Sequence, residues 1–170
     1  MRLFYALQLD QVTRRHISDL QVLMQQDCPR GSFTKEENLH LTLCFLGDID
    51  AQYLALLEKI LLSLEAAPLA LTFNQLGLFK NRQGDILWLG LEHNPLLEQV
   101  QATLAMKLNG EGLYLDPLPF TAHVTLARNI KIKKLPVLEP FTTTCNKLSL
   151  MHSHQTQFQL VYTPLYTLVL

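Results

Sequence analysis

The sequence predicts an α+β protein. Short stretches alternate apolar and polar residues with a period of two, as half-buried strands do. Three longer stretches space their apolar residues mostly three or four apart, as amphipathic helices do. The two kinds are interspersed, with several strands standing as antiparallel neighbours. At 170 residues the chain suits one domain, residues 1–170, long enough to bury a real core.

Taken in order, Arg2 to Leu9 alternates and reads as a strand. Asp10 is placed to cap a helix running to about Gln26, with Val12, Ile17, Leu20 and Met24 on one side. Pro29 and Gly31 break it. Leu39 to Leu46 is a strand closed by Gly47, with Leu39, Leu41, Leu43 and Phe45 pointing one way and His40, Thr42 and Cys44 the other. Asp50 caps a second helix from Ala51 to about Ala66, its stripe made by Leu54, Leu57, Leu61 and Leu64. Pro68 ends it, and Leu69 to Phe79 is extended. Lys80 to Asp85 is a turn, and Ile86 to Glu92 another strand. Asn94-Pro95 sets a cap before a proline in the first helical turn, opening a third helix through Leu97, Val100, Leu104 and Leu108 that stops near Asn109-Gly110. Ala122 to Ala127, Lys147 to Met151 and parts of Phe158 to Leu170 return to strand.

Hydrophobic residues make up 48% and charged residues 17%, with a net charge of −1. No global basic field of the kind that binds duplex nucleic acid is present, so any nucleic-acid contact is expected to be local. Cys28, Cys44 and Cys145 are odd in number and far apart, which fits a reducing compartment better than a disulfide frame or zinc knuckle. The N-terminal stretch lacks the apolar run and cleavage site of a signal peptide, and no run approaches a membrane span. A soluble cytoplasmic protein is expected.

The chemistry concentrates in a repeat. "HLTL" (His40 to Leu43) and "HVTL" (His123 to Leu126) share the form His-apolar-Thr-Leu, a coincidence with a chance of about one in a thousand at this composition. "HQTQ" at His154 lacks the apolar positions and reads as a decoy. Four polar groups left unpaired in a core would cost about 1–3 kcal/mol each, so both pairs belong in one wet cleft between two strands. Two imidazoles titrating near neutrality can be held one neutral and one protonated. Such a pair suits displacement at phosphorus, one taking a proton from the attacking water while the other protonates the departing oxygen. A threonine at i+2 can hydrogen-bond the non-bridging phosphate oxygens. The scheme requires no metal, and the spacing alone does not say which histidine is acid and which is base.

"ENLHLTLCFLG" and "PFTAHVTLAR" resemble the paired HxTx motifs of the two-histidine phosphoesterase superfamily, in particular its bacterial RNA 2′,3′-cyclic phosphodiesterases, also called 2′-5′ RNA ligases. "RLFYALQLD", "ILWLGL" and "LSLMHS...YTPLYTL" extend the resemblance over nearly the whole chain. It implies a bilobal α+β sandwich of two antiparallel sheets, helices outside, with one HxTx strand from each lobe lining a central cleft. It implies hydrolysis of a 2′,3′-cyclic phosphate at an RNA end to a 2′-phosphate, with reversible 2′-5′ ligation open to the same groups. His40 would be the proton donor, His123 the acceptor, and Thr42, Thr125 and Arg128 would hold the phosphate. Where the family often has His-Pro before the second motif, this chain has Thr121-Ala122.

Other features carry less. Lys131, Lys133 and Lys134 fit a local phosphate-backbone contact and a solvated edge equally well. Lys80 and Arg82 read as an ordinary polar turn, and Trp88 with Phe79 as packing more readily than as a base platform. His152 and His154 lack a third ligand, so no metal is assigned. Cys44 would share the face of His40, but Ala127 at the matching place in the second motif argues against a nucleophilic cysteine. No Gly-rich phosphate loop is present, and no cofactor is expected. The expected partner is an RNA end or nucleotide bearing a 2′,3′-cyclic phosphate, acted on by a monomer without an obligate protein partner. Rival readings are a non-catalytic nucleotide or RNA-end binding domain and a phosphodiesterase of a small cyclic nucleotide.

Overall fold

Strand β1 (Arg2–Gln8) is apolar on both faces: Leu3, Tyr5 and Leu7 are buried on one side, Phe4 and Ala6 on the other. It therefore sits inside a sheet, between β3 (His40–Asp48) and β8 (Lys147–Gln155), with β9 (Leu160–Val169) beyond β8. A second set runs β7 (Phe141–Cys145), β4 (Leu69–Phe79), β5 (Asp85–Leu91), β6 (His123–Ile130), and the two-residue β2 (Ser32–Phe33) also pairs with β6. Every pairing is antiparallel. The computed structural model describes residues 1–26, 28, 31–113, 119–132 and 134–170; Pro29 and Lys133 lie outside them.

The two sets meet at β3 and β6 through a single register pair, Leu41 with Val124. The two sheets that the resemblance implies are thus two halves of one nine-stranded sheet, joined at that seam. Each HxTx strand is the innermost strand of its half, which brings the two motifs side by side.

Two of the helices cross the seam. Helix α1 (Gln11–Gln25) follows β1, and the Asp10 carboxylate accepts from the Thr13 amide at 2.7 Å. Yet it packs on the other half: Thr13 bonds Thr143 of β7 at 2.7 Å, and Gln21 Nε2 donates to the carbonyls of Thr34 at 2.9 Å and Leu126 of β6 at 2.8 Å. Helix α3 (Pro95–Gly110), capped by Asn94 at 3.0 Å from the Leu97 amide, follows β5. It reaches back to the first half, where Gln101 Nε2 meets the Cys44 sulfur of β3 at 3.9 Å. Helix α2 (Leu54–Leu62) backs β1, and the buried Tyr5 hydroxyl donates to its Leu57 carbonyl at 2.8 Å.

Two expectations change, and two strands are added to those expected. Val12 is 80% exposed, because five residues before Ile17 is about 140° round a helix; the buried first-turn residue is Thr13. Helix α2 is shorter than the leucine stripe suggests. Asp50 caps a 3₁₀ turn over Ala51–Tyr53, and Ser63, bonding back to the Ile60 carbonyl at 2.8 Å, closes the helix while Leu64 stays buried beyond it. Strands β2 and β7 carry no apolar alternation; the run of β-branched threonines makes β7, with Thr143 and Cys145 turned inward. Among the described residues no helix is long and apolar enough to cross a membrane.

Candidate active site

His40 and Thr42 open β3, and His123 and Thr125 open β6. Burial then runs identically along both strands: half-buried, buried, half-buried, buried, buried, exposed. The two consecutive buried residues are bulges. Tyr5 pairs with Cys44 and Ala6 with Thr42, leaving Leu43 extra; Leu87 pairs with Ala127 and Trp88 with Thr125, leaving Leu126 extra. An extra residue rotates everything after it to the opposite face. Strict alternation therefore misplaces two side chains. Cys44 turns into the core, where burial pushes its thiol up to about 12 and disfavours the nucleophilic thiolate. Phe45 turns out, 47% exposed, and lines the cleft. The fifth residue after each histidine is thus cleft-facing: Phe45 in one motif, Arg128 in the other.

Arg128 is aimed by a further bulge. Asp85 pairs with Ile130 and Leu87 with Ala127, so Arg128 and Asn129 together oppose Ile86, and Asn129 takes a left-handed φ of 54°. Gly84 (φ 126°) lies against it so closely that a Cβ there would come within 2.7 Å of the Asn129 Cα.

The two imidazoles have matching settings. Each Nδ1–H donates to the carbonyl two residues earlier, His40 to Asn38 and His123 to Thr121, both at 2.7 Å. That bond fixes ring orientation and leaves Nε2 for chemistry. His40 Nε2 lies 3.0 Å from Thr42 Oγ1. Aromatic rings brace both: Phe4 and Tyr162 at 4.9 and 5.1 Å from His40, Phe79 and Trp88 at 5.1 and 6.4 Å from His123. The Trp88 indole lies over Gly77, where a Cβ would meet it at 2.1 Å, so Trp88 is a fixed wall of packing, as its strand position suggests.

A cleft of about 480 Å³ is lined by His40, Thr42, Thr125 and Arg128, and also by Arg2, Phe4, Phe45, Ser153 and Tyr162. His123 stands beside it, near enough that its charge and that of Arg128 both act on His40. Burial lowers His40 to about 4 against the opposing Asn38 bond; burial also lowers His123, with Arg128 adding to the effect. Arg2 stacks its guanidinium 4.9 Å over the Phe45 ring. Among the described residues neither Arg2 nor Arg128 forms an ion pair with a carboxylate. Unneutralised cations around buried imidazoles make a site for an anion.

Arg2, Phe45 and Tyr162 escape sequence reasoning: Phe45 because of the bulge, the others because only the sheet order brings β1 and β9 to the motifs. Lys131 and Lys134 are not among the cleft-lining residues. Lys80 pairs with Asp85 at 2.7 Å, an ordinary turn contact. His152 and His154 stack at 4.9 Å, and His154 bonds Thr163 at 2.9 Å; among the described residues no three metal-ligating side chains gather.

Known proteins share both sequence and shape with this chain. An RNA 2′,3′-cyclic phosphodiesterase of Archaeoglobus fulgidus is 31% identical over 130 residues, covering 75% of this chain and 72% of the relative. One from Methanothermobacter thermautotrophicus is 28% identical over 131 residues, covering 75% and 71%. The crystal structure of E. coli LigT complexed with 3′-AMP superposes with a TM-score of 0.85 at 25% identity, over 99% of this chain and 97% of that one. Residues 9–157 match the sequence profile of the 2′-5′ RNA ligase superfamily. A doubled motif with doubled bulges and doubled backbone anchors, in a chain matched over that span, leaves one conclusion: this protein belongs to the 2′-5′ RNA ligase superfamily of two-histidine phosphoesterases.

Proposed function

We propose that the protein is an RNA 2′,3′-cyclic phosphodiesterase in which His40 and His123 transfer the protons. The observation that carries this is the matched pair of imidazoles, each anchored through Nδ1 at 2.7 Å, beside a cleft with two guanidinium groups that meet no carboxylate among the described residues. A mere binding site has no use for a second oriented imidazole. That E. coli LigT is seen with 3′-AMP supports a nucleotide as the occupant.

The cyclic phosphate sits between the motifs, its non-bridging oxygens taking hydrogen bonds from Thr42, Thr125 and the Arg128 fork. His123 Nε2 removes a proton from the attacking water, whose oxygen forms the new bond to phosphorus. The P–O3′ bond breaks, and protonated His40 delivers its proton to the departing O3′, leaving a 2′-phosphate. With a 5′-hydroxyl in place of water, the same transfers give a 2′-5′ linkage. Burial disfavours the protonated form of both rings. The substrate's negative charge favours imidazolium, so the donor's proton is stabilised as the substrate binds. Phe45 offers a stacking face to the terminal base.

Incubation with an oligonucleotide ending in 2′,3′-cyclic phosphate, with EDTA present, tests this. Wild-type protein should yield a 2′-phosphate product, and His40→Ala and His123→Ala should each lose roughly 10²–10⁴-fold in rate. Full activity in either variant would mean that the site is elsewhere. No turnover by the folded wild type would favour a non-catalytic RNA-end binding domain.

A further inference from the structure

A second cavity of about 270 Å³ adjoins the cleft, sharing with it Thr34, Arg128, Leu160 and Tyr162. Lys35 and the β8–β9 turn both line it, and Phe158 in that turn is 90% exposed. That turn is built rather than loose. Thr156 Oγ1 accepts from the Phe158 and Gln159 amides at 3.4 and 3.2 Å. Asn38 Nδ2 donates to the Leu160 carbonyl at 2.9 Å, and the Lys35 ammonium donates to the Gln159 side-chain carbonyl. The turn is thereby tied to the segment that leads into His40, and Phe158 is held at the cavity's edge. Among the described residues no carboxylate lines this cavity, and Lys35 and Arg128 form no ion pair with one. Two cations and an outward-facing aromatic ring beside a phosphate site match a nucleotide: a phosphate for the cations and a base for the ring.

We propose that this second cavity receives the nucleotide on the 5′ side of the cyclic-phosphate end, its linking phosphate between Arg128 and Lys35 and its base against Phe158. The assignment rests on the phosphodiesterase reading above and narrows its substrate to an RNA chain of at least two nucleotides, in place of a free cyclic mononucleotide.

The test compares kcat/KM for a dinucleotide ending in 2′,3′-cyclic phosphate with that for the matching cyclic mononucleotide, in wild type, Phe158→Ala and Lys35→Gln. Wild type should prefer the dinucleotide by about tenfold or more, as one stacked base provides. Phe158→Ala should bring the ratio towards one, and Lys35→Gln should lower it and weaken its salt dependence. Equal turnover of both substrates by wild type would overturn the inference and leave the phosphodiesterase standing. A preference that survives in both variants would overturn the assignment to this cavity. No turnover of either substrate would remove the phosphodiesterase reading and this inference with it.

Discussion

At the scale of single residues the site depends on two imidazoles held neutral by burial. The value of kcat/KM reports ionisation in the free enzyme, where His40 lies at about 4 and His123 below its ordinary value. The kcat/KM optimum should therefore fall below pH 6.5, while that of kcat, set in the anion-bound complex, should lie higher. Parallel pH profiles of the two constants check this, and a kcat/KM optimum above neutrality contradicts it. The same shift couples to folding. A histidine whose folded pKa is lowered leaves the unfolded chain binding more protons between about 4 and 6.5. Its contribution is fully present above that window, is lost as pH falls through it, and levels off below. Urea midpoints measured across pH 4–7 should show this slope in wild type and a shallower one in His40→Asn. Phe45→Ala should raise KM by about tenfold with little effect on kcat, because a stacked base is held alike in ground and transition states.

Among the elements, the decisive features are local departures from regular strand. The bulges at Leu43 and Leu126 let a strand bury two consecutive residues and still return a side chain to the cleft. The left-handed Asn129 does the same for the direction of Arg128, and it depends on the absence of a side chain at Gly84. Gly84→Ala puts a methyl within 2.7 Å of the Asn129 backbone. The bulge must then shift, and steady-state kinetics should show a raised KM from the displaced guanidinium. At the seam, Leu41 is fully buried where the halves meet through one register pair. Leu41→Ala should destabilise by about 2–5 kcal/mol in denaturant titration, since neither half can close the cavity alone.

For the whole molecule, the crossing helices matter more than the seam. Helix α1 is tied to β6 and β7, and α3 to β3, so neither half keeps its cover if the other unfolds. We propose that the chain is one two-lobed domain and unfolds as one unit. Calorimetry should give a single transition with equal calorimetric and van't Hoff enthalpies. Charge works at this scale too. With a net charge of −1, the proposed RNA substrate would be drawn by the few cations at the cleft and not by a global field. The rate with oligonucleotide substrate should consequently fall only modestly with salt, as few phosphates are neutralised.

From sequence alone the histidine and threonine pairs could be found, because a strand that is apolar at every other position exposes its exceptions. The caps Asp10, Asn94 and Asp50 were legible for the same kind of reason: they act on amides two or three residues away. Local periodicity also marked most of the strands and all three helices. Tertiary structure alone decided what depends on neighbours distant in the chain. The bulges that bury Cys44 and expose Phe45 exist because partner strands β1 and β5 impose a register that alternation does not encode. Arg2 and Tyr162 reach the cleft only because the sheet order sets β1 and β8 between the first motif and β9. The first motif names its own polar residues; its surroundings come from strands more than 30 residues away in the chain, and their placement is a property of the packed sheet.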